Sequence, residues 1–253
     1  AVERARRLVQ EDDARRMHQH PAECEALLLA DREQLVPVLH GIQAAIIWWI
    51  SPTDALVRFE GTYPVSKIVN GQFAGLESAK ELLVSFPLAY LVAAFFLLSA
   101  LAHFLVAYPL RTRYEAWLAR EFNPMRWAEY ALSSTLMILG IASLSFVTDA
   151  GALIAIAVCN ASMNLFGWSM EEANIGRKNV QWSHYIFGCI AGIAPWLALF
   201  TSVGLSLANW PTGVGPNGRS LEEFKPVLIA IYVSLFISFN IFAVNMVLQR
   251  LKV

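Results

Sequence analysis

The chain is expected to fold as an all-α integral membrane protein with six spanning helices, and three observations carry that expectation. Apolar residues fill 57% of the 253 positions and charged ones only 15%, a balance that ordinary soluble domains do not keep. The apolar residues come in long blocks, at about 35–52, 82–108, 127–147, 150–170, 184–208 and 226–249. All but the first clearly reach the roughly 20 residues a helix needs to cross about 30 Å of hydrocarbon. The first block, Leu35 to Pro52, is marginal in length and polar at His40 and Gln43. Finally, of the 19 basic residues, 14 fall on one side once six spans are drawn.

Those 14 are Arg4, Arg6, Arg7, Arg15, Arg16 and Arg32 before span one, Arg111, Arg113, Arg120 and Arg126 between spans two and three, Arg177 and Lys178 between four and five, and Arg250 and Lys252 at the end. Arg58, Lys67, Lys80, Arg219 and Lys225 lie opposite. The positive-inside rule then puts the N-terminus on the cytoplasmic side, or its equivalent in an organelle. The net charge of −1 is uninformative beside this asymmetry. Residues 1–34 form a charged extension and 35–253 the membrane bundle. The first 33 residues hold six arginines and eight acids, with no apolar core of the signal-peptide kind. The extension reads as helical, broken at Pro21, and either solvated or bound to a partner.

Between spans one and two, residues 53–81 are too many for a tight connection. Their Val-Arg-Phe-Glu-Gly-Thr-Tyr-Pro-Val-Ser-Lys-Ile-Val stretch predicts a short hairpin on the outer side. The outer 209–225 loop, with Pro211, Gly213, Gly215, Pro216, Asn217 and Gly218, reads as irregular. Cys24, Cys159 and Cys189 make neither a disulfide framework nor a metal-ligand spacing and are taken as small packing residues. No internal repeat is visible, against an inverted-repeat transporter.

Within the six blocks Glu129 is the one acid and no lysine occurs. An ionisable group in a membrane helix costs a few kcal/mol or more, so it faces the bundle interior and marks a site. Glu129, Ser133, Ser134 and Met137 recur at helical spacing and share one face of span three. Arg126 precedes Glu129 by one turn, either as its gatekeeper or as half of an ion pair that anchors the helix end. His40 and His103 sit near the same depth as Glu129. Together the three can form a proton-exchanging cavity, although a lone helical histidine also serves as a packing residue. Asn160, Ser162, Asn164, Asn240 and Asn245 suit interhelical hydrogen bonds. Trp168, Trp182 and Trp210 suit interfacial anchoring, whereas Trp196, after Pro195 in mid-span, suits the wall of a ligand pocket. Asp149 reads as a helix N-cap before Ala150.

Taken together, these stretches resemble heliorhodopsins, the inverted-topology branch of the microbial rhodopsins. The similar segments are Val-Leu-His40-Gly, Leu-Ser-Ala-Leu-Ala-His103-Phe, Arg126-Trp-Ala-Glu129-Tyr-Ala-Leu-Ser-Ser, Asn160-Ala-Ser-Met163-Asn-Leu-Phe-Gly-Trp168, Phe-Gly-Cys189-Ile-Ala-Gly-Ile-Ala-Pro195-Trp196 and Ser-Leu-Phe-Ile-Ser-Phe239-Asn240. The resemblance implies a rhodopsin-like seven-helix bundle of which six spans are visible, a retinal cofactor and a dimer. It implies that Glu129 is the counterion of the protonated retinal Schiff base, preceded by Arg126. His40, His103, Ser133, Ser134 and Asn123 would line the polar cavity. Met137, Asn160, Met163, Trp196, Phe239 and Asn240 would be at or near the retinal pocket.

One feature departs from the family. Members attach retinal to a lysine in a seventh helix, while here Lys80 and Lys225 lie at outward span ends and Lys252 in the terminal tail. The expectation is that the lysine-bearing seventh helix, and with it the Schiff-base lysine, is absent from this chain and that retinal is not covalently held. Either a helix follows and the protein is a light-sensing, signalling retinal protein, or this is a non-photoactive six-helix relative serving as a structural or scaffold subunit. Pumping is disfavoured by the single membrane carboxylate, and a proton-conducting channel ranks below the two main readings. No HExxH, paired nucleophile and base, phosphate-binding glycine loop or metal cluster is present, so neither an enzyme nor a metal site is expected. The expected partners are the lipid bilayer and a second copy or a larger membrane complex, with no nucleic acid.

Overall fold

The computed structural model describes residues 21–214 and 220–251. The extension before residue 21, the 215–219 part of the outer loop including Arg219, and Lys252 lie outside the described residues, as do the side chains of Cys24 and Arg250. The elements are α1 (Pro21–Ile50), β1 (Leu56–Val69), β2 (Gln72–Pro87), α2 (Leu88–Ala107), α3 (Arg111–Leu118), α4 (Pro124–Leu144), α5 (Ala150–Ala173), α6 (Ser183–Ala208) and, after a short 3-10 turn, α7 (Phe224–Leu251).

Where the sequence predicts six spanning helices, the described residues form seven α-helices, so the six-helix description does not hold. Five are long and apolar enough to cross a bilayer: α2, α4, α5, α6 and the segment Leu221–Leu248 that includes most of α7. The apolar part of α1 runs only from Leu35 to Ile50, about 24 Å at 1.5 Å per residue. The remaining helix, α3, is an eight-residue surface turn with no buried residue, closed by an Arg111–Glu115 pair. It falls in the basic connection that the sequence reads as loop. Pro21 stands at the first position of α1, where a residue has no intrahelical N–H bond to lose, and the run expected before it lies outside the described residues.

The second apolar block also divides differently. Its first residues, Leu82 to Phe86, belong to β2, and the helix starts only after Pro87. Pairing runs from Leu56↔Pro87 to Val69↔Gln72, so the hairpin is far longer than the short one expected. Asn70 and Gly71, with φ of 52° and 77°, make the tight turn whose twist suits two antiparallel strands. The hairpin is tied to the α4–α5 connection: the Glu60 N–H donates to the Thr148 carbonyl at 2.8 Å, the Thr148 hydroxyl to Glu60 Oε2 at 2.7 Å, and the Thr62 hydroxyl to Asp149 Oδ2 at 2.9 Å. Asp149 caps α5 by accepting from the Ala152 N–H.

In the membrane the helices stand side by side in the order α1, α2, α4, α5, α6. Where α4, α5, α6 and α7 meet beneath the hairpin, Ile138, Ile141, Leu153, Ile156, Trp196, Leu199 and Tyr232 form the main core. A smaller cluster of Trp127, Met170 and Met246 packs at the other end. Leu97, Leu132, Val158, Ile190 and Ile241 are exposed on the outer faces, as befits helices whose solvent there is acyl chain.

Candidate ligand cavity between the spanning helices

Helical spacing on α4 brings Arg126, Glu129, Ser133, Ser134 and Met137 to one wall of a cavity of about 580 Å³, shared with α1, α2, α5 and α7. His40 comes from α1 and His103 from α2, with ring centroids 5.8 Å apart. His40 Nδ1 is 2.8 Å from Gln43 Oε1. The Glu129 carboxyl shares this cavity with the Ser133 and Ser99 side chains. Ser99 is buried on α2 and was not among the residues singled out from the sequence. The signal for it was its place one turn before His103 on the same helix face.

Ser134 is the node of a polar network joining α4 to α5. Its hydroxyl donates to the Tyr130 carbonyl at 2.6 Å, and its oxygen accepts from Asn160 Nδ2 at 2.8 Å and Asn164 Nδ2 at 3.0 Å. Its one proton is thus committed within the helix, so Ser134 offers the cavity no donor. Asn160 also donates to Thr135 Oγ1 at 3.1 Å. It is buried behind the wall and does not line the cavity.

The Arg126 guanidinium is paired with Glu171 on α5, Nη2 to Oε1. The other Glu171 oxygen accepts from the Asn123 N–H at 3.0 Å, while Asn123 Oδ1 accepts from the Arg126 N–H at 3.1 Å and caps α4. Glu171 is only 3% exposed, a second buried acid that sequence reasoning missed because it drew the fourth span to end at residue 170. Antiparallel packing held the clue. Residue 126 lies just inside the start of α4 and residue 171 just inside the end of α5, so the two reach the same depth.

A second cavity of about 460 Å³ lies between α5, α6 and α7. Met163, Asn164, Phe239 and Phe242 line both cavities, so the two are adjoining halves of one slot across the bundle. Trp196 meets Phe236 at 5.0 Å and Phe239 at 5.5 Å, both edge to face, in the geometry aromatic pairs prefer. Asn240 lines this second half and donates to the Phe236 carbonyl. Gly192 leaves the room that Met163 fills, since a β-carbon there would collide with the Met163 sulfur. Of the residues predicted for the site, all but Asn160 line one half or the other.

The lysines among the described residues sit elsewhere. Lys67 and Lys80 are in the hairpin, Lys178 in the α5–α6 loop and Lys225 in the first turn of α7, and none lines the slot. No three His, Cys, Asp or Glu side chains converge among the described residues.

No curated protein matches the chain. The family model for heliorhodopsin matches residues 30–253. That match corrects the reach of the resemblance. The sequence reading confines it to spans one to six and takes a lysine-bearing seventh helix to be absent, whereas the match runs from within α1 through α7 to the final residue. The chain belongs to the heliorhodopsin family, a family of photoreceptors and not of enzymes.

Proposed function

We propose that the protein is a light-sensing membrane protein that binds retinal in the slot between α4, α5, α6 and α7 and signals through its aqueous loops. The observation that carries this is the shape and chemistry of the slot. It has an aromatic, apolar half at Trp196, Phe236 and Phe239, which shares the walls Met163 and Phe242 with a half that holds a carboxylate, Glu129. An elongated polyene with a polar end fits such walls, because apolar surface buries its length and few polar groups fix its direction. Bound retinal would supply absorption of visible light and a light-driven change of shape.

The chain's own residues do the rest. Glu129 supplies the carboxyl group of the cavity, with Ser99 and Ser133 beside it on the lining. His40 and His103 line the same cavity, with ring centroids 5.8 Å apart. Asn160 and Asn164 hold Ser134 in place, and Glu171 holds Arg126 at the cavity's end. In this reading the N-terminus and its extension 1–34 face the cytoplasm, by the arginine distribution, and the working unit is a homodimer or larger complex, by family resemblance.

Titration of the purified protein with all-trans-retinal tests the proposal. A retinal absorption band that saturates is expected, lying in the visible and bleaching with hydroxylamine in light where a lysine of the protein forms the imine, and Glu129→Gln should displace the band or the pH at which it is lost. A band that Glu129→Gln leaves unchanged removes Glu129 from the site. The position of the lysines among the described residues, outside the slot, favours a second reading, a membrane subunit without chromophore. Absence of any saturable band, with or without added retinal, would select it.

A further inference from the structure

At the end of the bundle where α4 begins and α5 ends, the α3–α4 and α5–α6 loops enclose a cleft of about 930 Å³. Arg120 enters it from one loop, Arg177 and Lys178 from the other, and the Arg126–Glu171 pair lies at its base. Among the described residues Arg120, Arg177 and Lys178 make no ion pair. These three cations line the cleft with one further carboxylate, Glu121, besides the paired Glu171, so the excess of positive charge favours an added anion.

Both loops are fixed before any ligand arrives. Asn174, 5% exposed, closes the second loop on itself: its Nδ2 donates to the Gln181 carbonyl at 3.1 Å, and its Oδ1 accepts from the Gln181 N–H at 2.7 Å. Gly176, at φ 69°, takes the left-handed turn that sends Arg177 and Lys178 back over the helix end. The first loop is held by Glu171 through the Asn123 N–H. Preformed donors of this kind lose little entropy on binding.

The cleft also lies at the right depth for lipid. It opens at the aqueous end of spanning helices, with Trp168 and Trp182 close by on α5 and at the start of α6, the level at which indoles mark the headgroup region. Leu118, Phe122, Ile175 and Val180 add apolar wall to it, beside the polar Glu121, Asn123 and Asn174. A soluble phosphate has no use for such walls, but the glycerol and first methylenes of a phospholipid do. We infer that this cleft binds the phosphate of an anionic phospholipid headgroup, held by Arg120, Arg177 and Lys178. Planar guanidinium groups match phosphate oxygens two at a time, and basic pockets between spanning helices are the usual receptors for acidic headgroups.

The test is native mass spectrometry of the full chain in detergent, titrated with phosphatidylglycerol or phosphatidylcholine. Wild type should retain phosphatidylglycerol in preference to phosphatidylcholine. R177Q/K178Q should bind phosphatidylglycerol about thirtyfold more weakly, the product of two lost surface charges, with phosphatidylcholine adducts unchanged as the sign of an intact fold. K67Q, on the hairpin at the opposite end, should behave as wild type. Equal phosphatidylglycerol retention by R177Q/K178Q and wild type would overturn the site. Displacement of the bound lipid by inorganic phosphate at the same concentration would overturn the lipid assignment.

Discussion

A β-carbon at Gly167 would run into the benzene edge of the Trp127 indole, and Trp127 is only 1% exposed, with Phe242 edge-on to it at 5.5 Å. The ring has nowhere to go. Gly167→Ala should therefore destabilise the bundle by about 1–3 kcal/mol, the usual cost of forcing an extra carbon into a packed core. Gly204→Ala, where nothing lies within 4 Å of the new carbon, should leave the melting temperature in detergent unchanged or slightly raised. Equal melting of the two variants would show that Trp127 can repack. Side chains on one helix were legible at this scale because spacing alone sets the face: Glu129, Ser133, Ser134 and Met137 all reach the cavity. Partners across helices were not. The Arg126–Glu171 pair depends on how α4 and α5 line up, which no single-helix pattern contains.

Among the elements, the hairpin shows what the sequence holds and what is easily missed. The Asn70-Gly71 turn and the β-branched residues before it were present to be read, yet the apolar run from Leu82 looked like the start of a span. What separates strand from helix there is Pro87, which favours an extended residue before it and has no N–H to lose at a helix boundary. The latch that fixes the hairpin is ionic. The Thr148 hydroxyl first, and Lys80 next, hold the Glu60 carboxyl below its ordinary value of 4.5. The Ala152 N–H first, and the Thr62 hydroxyl next, hold Asp149 below 3.8. A carboxyl whose folded pKa is depressed stabilises the fold above its unfolded value, and the contribution vanishes as pH falls through the folded one. The hairpin should therefore stay docked through the ordinary carboxylate range and loosen only as the pH falls beneath it. Hydrogen exchange of the 56–63 segment, corrected for intrinsic rate, should show protection lost beneath that range while α5 keeps its own. Exchange independent of pH would mean that the backbone bond from Glu60 to Thr148 suffices alone.

For the whole molecule the decisive element is α7, which meets the other spanning helices through long side chains more than through close backbone approach. Tyr232 Oη is 2.8 Å from the buried Ser145 Oγ at the end of α4, the Tyr185 hydroxyl donates to the Ala243 carbonyl at 3.1 Å, and Phe236, Phe239 and Phe242 stack against Trp196 and Trp127. Because Phe239 and Phe242 also partition the slot, any movement of α7 changes both of its halves at once. Tyr232→Phe keeps the ring and removes the hydroxyl, and Ser145 retains its bond to the Ile141 carbonyl, so the cost should be about 0.5–1.5 kcal/mol. The loosening should register at Cys189, which lines the α6–α7 half of the slot, and not at Cys159 on α5, which does not. With Cys24 replaced by serine, a lipophilic maleimide should label Cys189 severalfold faster in Tyr232→Phe than in the parent, with Cys159 labelled at one rate in both. Faster labelling at both cysteines would point to general unfolding, and no change at Cys189 would show that the aromatic contacts hold α7 without the tyrosine hydroxyl.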